Sequence, residues 1–286
     1  MKLHLDCIPC LLRQALDATK MSSTDEVTQE RALREVMNYL SNVQWNMTTP
    51  ELATYVHRII KRISGNDDPY SQLKEKYNHA VLALYPKLEA MVESSKDPFM
   101  TAAKLAIAGN IIDFGPKINI DVEKTIDEVL SNDLAINDIE KLKSSIIRAE
   151  SVLYLADNAG ESVFDKLLIK ELSKQNVKVT YAVKNMPILN DATFKDAEMA
   201  GITKIVKVIS TGTDCTGILF RECSPRFMSE FDNSSFIISK GQGNYESLSD
   251  VKNKELFFFL KVKCPLIAED VGVKKGSAVL KQSLKS

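Results

Sequence analysis

Apolar positions recur at helical spacing through the first half of the chain. Val27, Leu33, Val36, Met37 and Leu40 mark one such face, and Leu52, Val56, Ile59, Ile60 and Ile63 mark another. Thr49-Pro50-Glu51 reads as a helix start and Gly65 as its stop, because proline suits the first helical turn and glycine accepts the conformation that ends one. Asp97-Pro98 opens a further helix through Ala102, Leu105, Ala106 and Ile107 to about Ile112, and Gly115-Pro116 ends it. Two shorter helices are expected near 121–131 and 137–148. Nothing before residue 150 has a strong strand pattern, and Trp45 is expected in the core.

The pattern then changes. Short apolar runs at 151–156, 177–183, 204–210, 234–239 and 255–262 alternate with helical stretches near 162–174, over 192–200 and from about Gly217. Strands alternating with helices predict a parallel sheet covered on both faces. The expected fold class is therefore α/β: an all-helical part over residues 1–148 and a Rossmann-like parallel sheet with flanking helices over 149–286.

Composition removes several function classes. With 37 Lys and Arg against 38 Asp and Glu, the net charge of -1 gives no broad basic footprint for nucleic acid or an acidic membrane. Asp6 interrupts the apolar start, so a secretory signal is not expected, and the apolar run at 256–260 is far short of a membrane span. The expected location is cytoplasmic. An odd count of 5 cysteines argues against a disulfide framework. His4, Cys7 and Cys10 form H-x-x-C-x-x-C. A structural or redox pair, a metal site completed by Cys264, His57 or His79, and inert buried thiols all remain open for it. Cys215 and Cys223 read as buried thiols.

Ligands of open parallel sheets bind beyond the carboxyl ends of the strands. The segments found there are DNAGE (157–161), KNMPILND (184–191), TGTD (211–214) and KGQGNYE (240–246). Asp157, Asn158 and Asp191 offer hard oxygen donors suited to Mg, Mn or a similar divalent ion. Gly160, Gly212 and Gly243 permit close backbone approach, following helix starts can aim amides at an anion, and Lys240 can neutralise phosphate. Glu161 reads as a base or a supporting group, Asp214 as a substrate contact or a turn, and Asp196 as solvent-facing. Asn110 and Asp113, three apart on one helical face, are expected to line the cleft between the two parts. Neither a Walker A motif nor a dinucleotide fingerprint is present, which disfavours a kinase or an NAD enzyme.

The segments LDCIPCLLRQAL, AIAGNIIDFG, LADNAGE, KNMPILNDAT, STGTDCTG and ISKGQGNYE run in order over nearly the whole chain. Together they resemble the damage-control phosphatase family, also known as domain of unknown function 89, in its microbial subfamily with an N-terminal C-x-x-C. The resemblance implies a helical part before a Rossmann-like part, a divalent metal (Mn, Co, Ni or Mg) and hydrolysis of phosphate monoesters of small metabolites, such as sugar phosphates or damaged phospho-metabolites. It implies that Asp157, Asn158 and Asp191 hold the metal and that Lys240 contacts phosphate. Beside them, Glu161, Gly160, Gly212, Asp214, Asn244, Asn110 and Asp113 complete the expected site, with backbone amides near Gly160, Gly212 and Asn244 on the transferring phosphoryl group. The expected nucleophile is metal-bound water, since the D-x-D-G-T pattern of aspartyl-phosphate enzymes is missing. The family is also linked to carboxyl methyl transfer. An S-adenosylmethionine-dependent methyltransferase is thus the competing expectation, although DNAGE lacks a Gly-rich cofactor loop, and a non-catalytic metal or metabolite binder is the third.

Overall fold

A computed structural model of the chain describes residues 1–111 and 122–283. Its helical beginning comprises α1 (Cys7–Ser22), α2 (Glu26–Ser41), α3 (Thr49–Ser64), α4 (Ser71–Glu93), α5 (Pro98–Ile111) and α6 (Val122–Ser131). The two-residue strand β1 (Ile136–Asn137) and helix α7 (Ile139–Arg148) follow. The remainder alternates β2 (Ser151–Leu155), α8 (Glu161–Ser173), β3 (Lys178–Val183), α9 (Phe194–Met199), β4 (Lys207–Ser210) and α10 (Pro225–Asn233). It ends in β5 (Phe236–Lys240), α11 (Gln242–Leu248), β6 (Leu256–Lys261), α12 (Pro265–Val271) and β7 (Ala278–Gln282).

The punctuation of α3 is the one its sequence encodes. Thr48 accepts from the Glu51 amide while Glu51 reaches back to Thr48, Pro50 sits in the first turn, and Gly65 closes the helix at φ 68°. The apolar faces of α1, α2 and α3 meet in their own cluster around Leu11, Val36, Leu52, Val56 and Ile60. Helices α4 to α7, by contrast, share a core with α8 and one face of the sheet through residues such as Val81, Leu105, Ile107, Leu142, Val152 and Tyr154. The helical half thus packs as two groups, one of which belongs to the sheet. Helix α5 lies against α8 closely enough that a Cβ on Gly109 would meet Phe164 at 3.0 Å. Leu153, Leu155, Phe227, Leu248 and Ile267 build the core on the opposite sheet face, as strand alternation requires.

The described strands form one seven-stranded sheet in the order β1-β7-β6-β5-β2-β3-β4. Strands β2 to β6 are parallel neighbours, and β7 returns antiparallel to β6. After β4 the chain crosses back to lay β5 on the other side of β2, so the order reverses between β2 and β5, where a ligand cleft is expected.

Several expectations need correction. Strand β1 precedes residue 150, and it pairs with β7, which carried no strong signal. The third strand begins at Lys207, because 202–204 form a 3-10 turn. The helix expected from about Gly217 shrinks to a 3-10 turn at Phe220–Glu222, and α10 starts only at its Ser224-Pro225 cap. Trp45 is 49% exposed. Asp196 is buried, not solvent-facing: it accepts from Thr193 N at 2.8 Å to cap α9, and from Asn78 Nδ2 at 2.8 Å.

Candidate metal and substrate site

The loops after β2 and β3 are stitched together by backbone. The Ala159 amide donates to the Asn190 carbonyl at 2.9 Å, the Ala192 amide to the Asp157 carbonyl at 2.7 Å, and Asn158 and Asp191 form an antiparallel bridge. Asp157, Asn158 and Asp191 therefore converge on a cleft of about 190 Å³, with Asn110 of α5 beside them. Cys10, Leu11 and Gln14 of α1 and Thr49, Pro50 and Ala53 of α3 close the opposite wall. Gln242, Gly243, Glu246 and Lys263 fill the side below β5 and β6.

The charge balance at this point is unusual. Burial pushes the Asp157 carboxyl well above its ordinary range, and the negative charges of Glu161 and Asp191 push it further, against the pull of Lys263 and Lys240. Burial likewise raises Asp191 to about 6, opposed by Lys184, whose Nζ lies 3.7 Å away, and by Lys74. Asp157, Glu161, Asp165 and Asp191 thus gather with Lys184, Lys240 and Lys263, and a cation between Asp157 and Asp191 would relieve the repulsion between their carboxylates. Among the described residues no group of three His, Cys, Asp or Glu side chains is placed to hold a metal. The donor set on offer is two carboxylates and one amide oxygen, all hard donors, which fits Mg- or Mn-type ions better than a thiophilic one.

The other expected residues divide sharply. Asn110 belongs to the cleft: its Nδ2 donates to Asp157 Oδ2 at 2.7 Å and to Glu161 Oε1 at 2.8 Å, and its Oδ1 accepts from the Lys261 amide at 3.0 Å. Asp113 lies outside the described residues. Lys240 does not reach the cleft. It is fully buried, and its ammonium donates to Glu161 Oε2 at 2.9 Å and to Asp165 Oδ1 at 2.7 Å. Glu161 is 2% exposed and both its oxygens are engaged, which removes it as an open base. At Gly160 the amides that open α8 are already taken, by the carbonyls of Asn158, Ala159 and Gly160 itself, so no anion cradle forms there. Asn244 donates to the carbonyls of Ala156 and Lys240 and so ties the ends of β2 and β5. Gly212, at φ 87°, packs against Ser224 and does not line the cleft. Asp214 accepts from Arg58 Nε at 3.0 Å and Lys61 Nζ at 3.4 Å, joining the loop after β4 to α3.

Lys263 is the residue the sequence reading missed. It follows β6, at the same edge as the other loops, so the strand-end rule extended to the apolar run at 255–262 finds it. Cys10, also on the cleft wall, is a free exposed thiol, and Cys7 is a free buried one that accepts from Thr49 Oγ1. Partial burial, with Cys264 and Cys7 nearby, holds the Cys10 thiol above its ordinary range, which disfavours the thiolate.

A family model described as damage-control phosphatase ARMT1-like domain matches residues 3–279. Among curated relatives, a protein of Methanocaldococcus jannaschii described only as uncharacterized is 39% identical over 98% of this chain and 95% of its own. Two relatives named damage-control phosphatase, from Pyrococcus horikoshii and Archaeoglobus fulgidus, are 35% and 34% identical, each over 98% of this chain and over 97% and 99% of their own. The crystal structure of a DUF89 family protein from Pyrococcus horikoshii superposes with a TM-score of 0.91 at 34% identity, covering 99% of this chain and 100% of that one. With a family model matched over residues 3–279 and a family structure superposing over 99% of the chain, the chain belongs to the damage-control phosphatase ARMT1-like domain family.

Proposed function

We propose that this protein is a divalent-metal-dependent phosphatase that hydrolyses phosphate monoesters of small metabolites, sugar phosphates or damaged phospho-metabolites among them. The observation that carries this reading is the convergence of Asp157, Asn158 and Asp191 on a small cleft that also holds Lys263. The names of the relatives from Pyrococcus horikoshii and Archaeoglobus fulgidus support a phosphatase in general.

Asp157, Asn158 and Asp191 would hold the ion, whether Mn, Co, Ni or Mg. When bound, it supplies Lewis acidity toward phosphate and lowers the pKa of a water. The chain's own residues do the rest. Lys263 presents a cation to phosphate oxygens, the role first expected of Lys240. Gly243 and Gly217 let backbone approach the ligand. Helices α1 and α3 cover the organic end and limit its size. A cleft of about 190 Å³ suits a small metabolite and falls below the roughly 300–1,000 Å³ of sites for drug-sized ligands. That size also weighs against S-adenosylmethionine as a resident co-substrate. A cytoplasmic location without nucleic-acid or membrane partners is part of this proposal; no described helix is long and apolar enough to cross a membrane.

The test is phosphate release from a panel of sugar and cofactor phosphates, with and without Mn, Co, Ni or Mg. Metal-stimulated release supports the reading. Metal binding with no release from any ester would favour a metabolite binder, and methyl transfer from S-adenosylmethionine without phosphate release would favour the methyltransferase.

A further inference from the structure

Resting on the reading of Asn158 as a donor to a cation, we propose that Glu161, Lys240 and Asp165 form a positioning relay that fixes the Asn158 amide with its carbonyl oxygen turned to the cleft.

The relay starts inside the sheet. Asp165 stands one turn after Glu161 on α8, so both carboxylates face Lys240 at the end of β5. Asp165 is held in turn by the buried hydroxyls of Tyr154 at 2.7 Å and Tyr181 at 2.9 Å. Asp165 and Lys240 are fully buried, and Glu161 is nearly so. Three charges removed from water are a costly way merely to fill space, since apolar residues of similar volume do that at least as well. What the trio delivers lies at its outer end. Lys240 fixes Glu161 through Oε2, leaving Oε1 as a charged acceptor beside the cleft.

An ionised carboxylate oxygen accepts only. Glu161 Oε1 therefore requires N–H groups, and it receives Nδ2 of Asn158 at 2.6 Å and Nδ2 of Asn110 at 2.8 Å. Asp157 Oδ2 receives the same two amide nitrogens, at 3.1 Å from Asn158 and 2.7 Å from Asn110. An amide NH2 has two protons, and both of Asn158's are directed to carboxylates. Its carbonyl oxygen must then face the other way. A flipped Asn158 would set its oxygen against Glu161 and Asp157 and offer the cleft an N–H group, which no cation accepts. Glu161 is thus a positioning residue, acting through Asn158, in the way carboxylates beyond the ligands orient ligands in metal sites.

The experiment is a double-mutant cycle read by calorimetric titration with Mn2+ alone. In Glu161→Gln, Lys240 claims the new carbonyl, so the new NH2 opposes those of Asn158 and Asn110 and turns Asn158 over. Its Kd for Mn2+ should rise about tenfold to a hundredfold. In an Asn158→Asp background there is no amide to orient, and the same change should cost about threefold or less. Equal factors in both backgrounds would mean that only the lost charge matters, and would overturn the relay. Unchanged affinity in Glu161→Gln would overturn it too. Native protein that binds none of Mn2+, Co2+, Ni2+ and Mg2+ would overturn the proposed function and this inference with it, whereas native binding that Glu161→Gln leaves unchanged overturns the inference alone. A readout free of folding risk uses native, metal-free protein labelled with 15N-asparagine. The Asn158 side-chain protons, assigned by their loss in Asn158→Asp, should exchange slowly, and solvent-like exchange would contradict the locked amide.

Discussion

The carboxylate of Asp157 lies directly over the backbone of Gly241: a Cβ on that glycine would sit 1.9 Å from Asp157 Oδ2 and 2.1 Å from its Cγ. Gly241 also holds φ at 81°, where side chains are strained. The loop after β5 therefore serves the site with its backbone, as a floor on which the carboxylate from the loop after β2 rests. Gly241→Ala should displace Asp157 and cost at least about tenfold in metal affinity, the scale seen when supporting contacts of a metal site are lost. Metal titration beside circular dichroism checks this, and a folded variant with native metal affinity would contradict it.

The two lysines at this end of the sheet should fail in different ways. Lys240→Met leaves Glu161 and Asp165 buried beside each other without their cation, and stability should fall by about 3–5 kcal/mol. Urea titration reads that loss directly.

Lys263→Ala should leave stability nearly unchanged and lower kcat/KM about tenfold to a hundredfold, the worth of one charge-assisted contact of about 1.5–3 kcal/mol. Metal affinity should hold or rise, because an ammonium in the same cleft repels a second cation. Steady-state kinetics and calorimetry on one preparation separate these effects. Loss of metal with native kinetics at saturating metal would reverse the assigned roles.

Metal binding should weaken in acid. Burial holds Asp191 at about 6, so below that pH a cation has to displace a proton from it. The apparent Kd for Mn2+ should rise by about tenfold for each pH unit below 6, more steeply if Asp157 must also lose a proton. A flat titration between pH 5 and about 7 would contradict the placement of the ion on these carboxylates.

His57 gives a stability signature of its own. Burial within the α1–α3 cluster, reinforced by Lys61, holds its imidazole down at about 4, and among the described residues its Nε2 has no hydrogen-bond partner. The folded state therefore binds this proton less readily than the unfolded chain, where histidine titrates near 6.5. The contribution is fully present above about 6.5 and is lost as pH falls toward 4, by roughly 3 kcal/mol in all. Comparing urea midpoints at several pH values for native protein and His57→Leu isolates it, because the variant should lack this part of the acid slope.

What the sequence revealed followed from local physics. The Thr48-to-Gly65 helix carries both its caps in the chain, and the strand-then-helix rhythm after residue 150 carries the parallel sheet. Asp157, Asn158 and Asp191 were legible because a strand-end rule needs only the end of a strand. Lys240 was misread because a lysine at a strand end looks exposed, whereas β5 is a central strand buried along its whole length. Its partner Asp165 sits in mid-helix, where an acid usually faces solvent, and only tertiary packing turns it inward. Strand β1 has two residues and no period to detect, and β7 gains its place by pairing with β6 and β1.

The most direct test of the account is phosphate release from a sugar phosphate by native protein and by Asp157→Asn, each stripped with chelator and then given Mn2+. Native protein should release phosphate only after metal is restored, while folded Asp157→Asn should neither bind the metal at native affinity nor turn over. Turnover by Asp157→Asn at the native rate with the native metal dependence, or undiminished native turnover in chelator, would contradict it.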